Sequence, residues 1–436
     1  MKTFTNIPRK AYQKRILNYL KTDDLIFVIG ARRTGKSCFA AQVEELVKKI
    51  SGSGDYVSRI NIERCHEIRL SKDELLGRFY KRYEPERQNV FLVDEVSHIV
   101  DWEDAVNEAK KLANVKFIFF SSSRGVVSER LEAVREGRYK VMEMLPLSLP
   151  EFIAFHQLSE VSSGLQAPGS GIYRSKEGTL WTLDEIYRRY ISVGGMPVLD
   201  RGSLSFERGI AVADGNYSTI VTHDILEVGS KSGKSAITDP LLLRTIITVM
   251  AKSVGSNISA TQLGKQTGNY LDRPTSTKTV ESYVRAILDA NLFYISERMD
   301  IRSDQMLKTL AKYYMVDTSL HSFVTGMSRD DEERLLENLV FFELLRRGYK
   351  VMNGKIGQDE VTFVAEGEGN RLYVQVVNKL DESNRRSTLQ PLRKIKDNYP
   401  KVVVCSSSQT RKTNDGIIIV NALEFLMGWP TNTTLQ

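Results

Sequence analysis

At 436 residues the chain exceeds what a single hydrophobic core usually organises, so two or three domains are expected. Hydrophobic residues make up 41% and charged residues 26%, as in water-soluble globular proteins, and no apolar run reaches the length of a membrane span. The net charge of +7 permits polyanion binding but equally describes a solvated basic face. The N-terminus MKTFTNIPRK lacks the apolar centre of a signal peptide. Cys38, Cys65 and Cys405 form no CxxC pair, and the histidines lack metal-ligand spacing, so a cytoplasmic chain without structural zinc, disulfides or membrane contact is expected.

Leu25 to Ile29 (LIFVI) is a short apolar run of the kind a fully buried parallel strand requires. Gly30-Ala31-Arg32-Arg33-Thr34-Gly35-Lys36-Ser37 follows and fits GxxxxGK[ST], the Walker A pattern. Cys38 and FAAQVEELVKKI then show helical spacing with lysines in the last turn. Backbone amides of such a loop and helix start would wrap a phosphate, favoured by the helix dipole. Lys36 would reach the β and γ phosphates, and Ser37 would help hold Mg²⁺. Arg32 and Arg33 lie inside the loop, either touching phosphate or solvated.

Val90 to Val93 reads as a second buried strand and ends in Asp94-Glu95, a Walker B pattern. Asp94 would hold Mg²⁺ through water, and Glu95 would act as general base on the attacking water, so hydrolysis of ATP to ADP is expected. Val115 to Phe120 is the next strand, followed by Ser121-Ser122-Ser123. Ligands gather at the carboxyl ends of parallel strands, which makes Ser122, or Ser121 beside it, a candidate γ-phosphate sensor. A turn capping a helix that begins near Ser128 is the other reading of these serines. Arg138, in REGRY before a strand spanning 140–145, is a candidate arginine finger acting in its own or a neighbouring subunit, or a plain surface arginine.

The stretch 158–178 is rich in Ser and Gly and predicts a flexible surface loop. Helical patterning resumes over 183–193, and no function is assigned between Asp200 and Pro240. Helices are expected over 242–251 and from Ile258. Over 275–292, Val280, Tyr283, Val284, Ile287, Leu288 and Leu292 share a helical face. With strands near 292–295 and 312–316 this predicts a winged helix. Its solvent face offers Thr277, Lys278 and Arg285 for DNA but also Glu281 and Asp289, which would repel phosphate. A spacer or protein-docking role is equally open.

Leu335 to Leu345 predicts a strongly amphipathic helix, followed by strands over 350–352, 361–364 and 372–377. This order matches restriction-endonuclease-like folds, whose chemistry needs a helix Glu, a strand-end Asp and Glu-x-Lys to bind metal. Glu337 supplies the first, but Thr362, Gln375 and Val377 occupy the others, and Asp359 and Glu360 are the acids left to substitute. An inactive domain used for binding is expected.

The chain resembles bacterial and archaeal AAA-type ATPases with a C-terminal domain of unknown function. The resemblance rests on IPRKAYQKRI, VIGARRTGKS, VFLVDEVSHIVDWEDAV, LPLSLPEF, YISVGGMP, LLENLVFFELLRRGYKV and DEVTFVA. It departs at Ser121, where glycine usually precedes the sensor serine. The resemblance implies a STAND-related P-loop core, then helical and winged-helix regions, then an endonuclease-like fold. It also implies that Gly194, Gly195 and Pro197 form an element coupling nucleotide state to the next domain. The expectation is an α/β chain with an ATPase core at 1–155 and a helical lid and linker at 156–235. A winged helix at 236–325 and an endonuclease-like domain at 326–436 complete it. It would work as a nucleotide-driven switch or assembly factor, with homo-oligomerisation and a protein partner of the C-terminal domain possible. The alternatives are an ATP-gated DNA-binding protein of a defence or mobile-element system and, disfavoured, a metal-dependent nuclease.

Overall fold

A computed structural model describes residues 7–22, 25–51, 55–62, 70–96, 99–161, 171–197, 205–227, 237–326, 331–367, 369–407 and 409–429. They form two compact units, the first running to Leu145 and including Asp289–Asn291, the second comprising Pro146–Leu288 and the chain from Leu292 onward.

The first unit is a parallel α/β layer structure. Its strands are β1 (Leu25–Ile29), β2 (Asp55–Asn61), β3 (Gln88–Asp94), β4 (Val115–Ser121) and β5 (Lys140–Glu143), in the order β2-β3-β4-β1-β5. Helices cover both faces, which is why β1 is apolar at every position and buried throughout. Alternation along the strands sorts the side chains into two cores. Phe27, Phe91, Phe117 and Phe119 pack with Phe79 of α3 (Lys72–Lys81) and Trp102 of α4 (Trp102–Ala109). Ile26, Val28, Leu92, Ile118 and Phe120 pack with Ile16 of α1 (Lys10–Thr22) and Phe39 and Val43 of α2 (Lys36–Ser51). The helix expected near Ser128 begins only at α5 (Glu132–Arg135), because the Ser128 hydroxyl accepts the Arg130 amide and holds a turn.

The second unit opens with α6 (Leu149–Phe155). The ends of the expected 158–178 loop are strands: β6 (Ser159–Glu160) and β7 (Ile172–Arg174) pair antiparallel, with β8 (Leu180–Thr182) beside β7. Burial of Tyr173 gives that small sheet its apolar anchor, while 162–170 lie outside the described residues. Helices α7 (Leu183–Val193) and α8 (Phe206–Thr219) follow, and the chain continues from α8 into a π-helical segment, Ile220–Glu227. Parts of the unassigned 200–240 interval, 198–204 and 228–236, lie outside the described residues. Next come α9 (Pro240–Lys252), α10 (Ala260–Leu271) and α11 (Thr277–Asp289), then the antiparallel hairpin β9 (Phe293–Asp300) and β10 (Gln305–Met315). As the periodicity predicts, Val280, Tyr283, Val284 and Ile287 form the buried face of α11.

Beyond α12 (Thr318–Thr325) and α13 (Glu332–Arg346) lie β11 (Lys350–Ile356), β12 (Asp359–Gly367), β13 (Asn370–Val377), α14 (Glu382–Arg393), β14 (Lys401–Cys405), β15 (Arg411–Lys412) and β16 (Ile418–Asn421). The six strands join the hairpin in one eight-stranded sheet, in the order β10-β9-β11-β12-β13-β14-β16-β15. Pairing of β11 with β9 therefore carries the sheet across the expected border at 325/326. The helix expected to be amphipathic is not: from Leu335 to Leu344 every α13 side chain except Glu337 is buried. Neighbours enclose it on nearly all sides, so it lacks a broad polar face.

Candidate active site

The glycine loop leaves the carboxyl end of β1, between β4 and β5. Gly30 has no room for a side chain, since a Cβ there would lie 2.1 Å from the Met144 carbonyl oxygen. Gly35 turns the chain into α2 with φ at 96°, where glycine is unstrained, and Arg33 also takes a left-handed φ of 68°. Within the loop the Thr34 hydroxyl donates to the Ala31 carbonyl at 2.9 Å, and Thr34 is fully buried. Lys36 folds back over the loop, its Nζ donating to the carbonyls of Gly30 (2.9 Å) and Ala31 (3.0 Å). Arg32 is half-buried, and Arg33, Ser37 and Cys38 are exposed.

Beneath the loop lies a residue to which sequence reasoning gave no role. Arg9 is 3% exposed and donates to the carbonyls of Thr34 (3.4 Å) and Leu145 (3.0 Å), with its guanidinium over the Tyr12 ring. It ties the loop to the end of β5. Arg9→Ala is expected to destabilise the first unit by about 1.5–3 kcal/mol, the range for a hydrogen bond with one charged partner. Chemical denaturation checks this, and unchanged stability would remove Arg9 as a support of the loop.

Across from the loop, β3 delivers Asp94 and Glu95. Asp94 is 1% exposed; its Oδ2 lies 3.4 Å from both Arg59 Nη2 and Asn61 Nδ2. Arg59 also donates to the Ser37 carbonyl at 2.9 Å, linking β2 to the start of α2. Asp94 Oδ1 is buried with no hydrogen-bond partner among the described residues. A buried, unsatisfied carboxylate oxygen is costly unless a cation compensates it, and the Asp94 carboxylate and the Ser37 hydroxyl are the hard oxygen donors that Mg²⁺ prefers.

Glu95 leaves the strand in a left-handed conformation with φ at 57°. Its carboxylate accepts the Ser122 backbone amide at 3.0 and 3.3 Å and lies 3.4 Å from the Ser122 hydroxyl. Burial, opposed by Lys36, raises its pKa to about 7. A carboxyl poised near neutrality suits a general base. Ser122 is fixed in turn by Asn291, grouped with this unit, whose Nδ2 donates to the Ser122 carbonyl at 2.7 Å. Ser121 and Ser123 do different work: Ser121 Oγ accepts the Ser123 amide, and Ser123 caps the short turn Arg124–Val126.

Arg138 stands elsewhere. It precedes β5, two residues before Lys140, which pairs with Ile26 near the start of β1. Four residues of β1, Ile26 to Ile29, separate that level from Gly30, or roughly 13 Å. Arg138 is ion-paired with Glu136 and lines a cavity of about 440 Å³ with Leu25, Gln88 and Val115, the first residues of three strands. It is at the opposite end of the sheet from its own chain's loop. Arg124, ion-paired with Glu143 at 2.7 Å, is at the loop end.

In the second unit the carboxylates weighed for metal chemistry are engaged by cations. Glu337 Oε1 accepts from Lys312 Nζ (3.0 Å) and from the buried Tyr314 hydroxyl (2.7 Å). Asp359 pairs with Lys394, and Glu360 with Arg298 at 2.7 Å. Thr362 and Gln375 bond across the strands, the Thr362 amide donating to Gln375 Oε1 at 3.0 Å. Among the described residues no three His, Cys, Asp or Glu side chains gather as a metal site. Glu337→Ala would leave the Lys312 ammonium, 8% exposed, without its counter-charge. A loss of about 3 kcal/mol is expected, measurable as a lowered denaturation midpoint, because removing one partner strands the other charge in a dry environment.

A parallel sheet whose glycine loop enters a helix beside an Asp-Glu strand end is the P-loop nucleotide-binding fold, here followed by a further α/β region. Residues 22–153 match the family described as AAA domain, and residues 184–331 match a domain of unknown function, DUF8612. Residues 22–153 are thus similar to an AAA-family ATPase-like domain. An uncharacterized protein of Haemophilus influenzae is 26% identical over 97% of this chain and 98% of its own. Another, from Methanocaldococcus jannaschii, is 24% identical over 85% of this chain and 78% of its own. Among solved structures, the Thermotoga maritima RuvB Holliday junction branch migration motor aligns over 66% of this chain and 89% of its own, with 12% identity and a TM-score of 0.26. The Pif1 helicase of Candida albicans aligns over 35% and 43%, with 15% identity and a TM-score of 0.24.

Proposed function

We propose that the chain binds ATP with Mg²⁺, hydrolyses it, and uses the cycle as a molecular switch or assembly factor acting through its second unit. The observation that carries the reading is the pair at the end of β3: Asp94 with a bare buried oxygen, and Glu95 buried near neutral pKa on the Ser122 amide. When bound, Mg²⁺ supplies charge neutralisation at the β and γ phosphates. Gly30 to Ser37 cradle the phosphates, Lys36 moves its ammonium from loop carbonyls to phosphate oxygens, and Ser37 and Asp94 hold the metal. Glu95, once released from Ser122, takes a proton from water, and Ser122 reports the γ position.

Arg138, remote from its own loop, is read as a finger acting on a neighbouring copy. Its test is ATP turnover by Arg138→Ala. We expect a loss that added Lys36→Ala subunits restore; turnover that stays lost in the mixture argues against action in trans, and undiminished turnover removes Arg138 altogether. The winged-helix reading of α9 to β10 and the inactive endonuclease-like reading of β11 to β16 are supported by the α11 burial pattern and by the ion-paired acids. Exposed Lys278 and Arg285 favour the second reading, ATP-gated DNA binding, and exposed Glu281 opposes it.

A further inference from the structure

A second polar cavity lies wholly within the second unit, apart from the nucleotide loop. It has a volume of about 310 Å³ and is bordered by α9, α10 and the first turn of α13. That size is at the lower end for small-molecule sites, about 300–1,000 Å³, and suits one nucleotide-sized group.

Gln262, Gln266 and Tyr270 recur every fourth residue along α10 and so share the face that lines it. Tyr270 is 56% exposed, a large aromatic surface left at the edge of a polar cavity. Lys252 Nζ donates to the Tyr270 hydroxyl at 2.9 Å and stands 5.1 Å from the ring centre. These two distances put the ammonium out beyond the hydroxyl, so it does not cap the ring face.

Charge at the cavity is one-sided. Lys252 has a neutral hydroxyl for its partner, and Arg334 donates to the Lys252 carbonyl; among the described residues neither forms an ion pair with a carboxylate. The acid nearest in the hydrogen-bond network, Glu360, reaches Asn257 but is ion-paired with Arg298. Asn257 Oδ1 is buried at the cavity wall with no partner, an acceptor waiting for a donor. Uncompensated cations flanking an open aromatic ring, with carboxamides alongside, are what a strand of bases on a phosphate backbone requires: stacking, charge and hydrogen bonding at once.

We infer that this cavity binds single-stranded nucleic acid, one base stacking on Tyr270 and the neighbouring phosphates facing Lys252 and Arg334. The site differs from the α11 face that carries Lys278 and Arg285. The inference does not depend on hydrolysis at the loop.

The test is fluorescence anisotropy of the full chain with a fluorescein-labelled oligodeoxythymidine strand, in excess ATP so that the loop is occupied. Tyr270→Ala is expected to weaken binding about 5- to 150-fold, the loss of one base–aromatic stack. The double variant Lys252→Ala/Arg334→Gln should flatten the salt dependence by about 0.7 per lost phosphate contact. Arg385→Ala/Arg386→Ala, which removes two exposed cations of α14 outside the cavity, should bind as the parent does. All these side chains are exposed, so folding is not at stake. The inference is overturned by an absence of binding, by parental affinity in Tyr270→Ala, or by an abasic strand binding equally well, which would mark a bare anion site. Preference for a duplex of the same sequence, or loss confined to a Lys278→Ala/Arg285→Ala variant of the α11 face, would overturn it too.

Discussion

Replacing Glu95 by Gln is expected to lower ATP turnover by a factor of about 10²–10⁴, the usual contribution of a positioned general base, while leaving ATP affinity near that of the parent. The substitution keeps size and can still accept the Ser122 amide that the carboxylate now accepts at 3.0 Å, so structure is spared and basicity alone is removed. The acid limb of kcat/KM offers a second readout because it reports groups of the free enzyme. Glu95 has a pKa raised to about 7 by burial, so below that pH it carries a proton and cannot accept another. Turnover should therefore fall as pH drops through 7 and should lose that limb in Glu95→Gln. Stability should change with pH in the opposite sense. Between the ordinary carboxyl value of 4.5 and about 7 the folded chain retains a proton that the unfolded chain has lost, so stability declines as pH rises through that window. Parental turnover in Glu95→Gln would remove Glu95 as the base.

Lys36→Ala should abolish measurable ATP binding. The Lys36 side chain is folded into the loop, with 6% of the residue exposed and its ammonium bonded to the Gly30 and Ala31 carbonyls. Without it no lysine ammonium passes from these carbonyls to the phosphate oxygens, so the ligand's negative charge loses its cation in the loop. Isothermal titration with ATP and Mg²⁺ measures the loss. Unchanged affinity would sink the assignment of the loop.

The loop and the Asp-Glu pair were legible because their chemistry and their backbone are both local. A run of apolar residues fixes the strand, glycines fix the turn, and the functional atoms lie within a few residues of each. Arg9, Arg59 and Asn291 were not legible because each acts through the fold: Arg9 reaches Leu145, and Asn291 reaches Ser122, across distances in sequence that no motif spans. Arg59 and Asn61 carried a faint signal, since two polar residues one apart on an apolar strand project to the same face. Arg138's position could have been deduced outright. In a parallel sheet the residue before a strand lies at the amino end, away from the loops that follow strands. Glu337 posed the reverse problem: its place on α13 was predicted, but Lys312 and Tyr314, which hold it, come from a hairpin whose docking the sequence does not announce.

The pairing of β9 with β11 has a consequence for synthesis. On one side β9 meets β10, its partner in a hairpin that can close as soon as it is made. On the other side, Arg298 to Asp300 must wait for Asn353 to Lys355, which are translated only after α12 and α13. Until then a nascent chain presents an open strand edge, the feature from which intermolecular sheets grow.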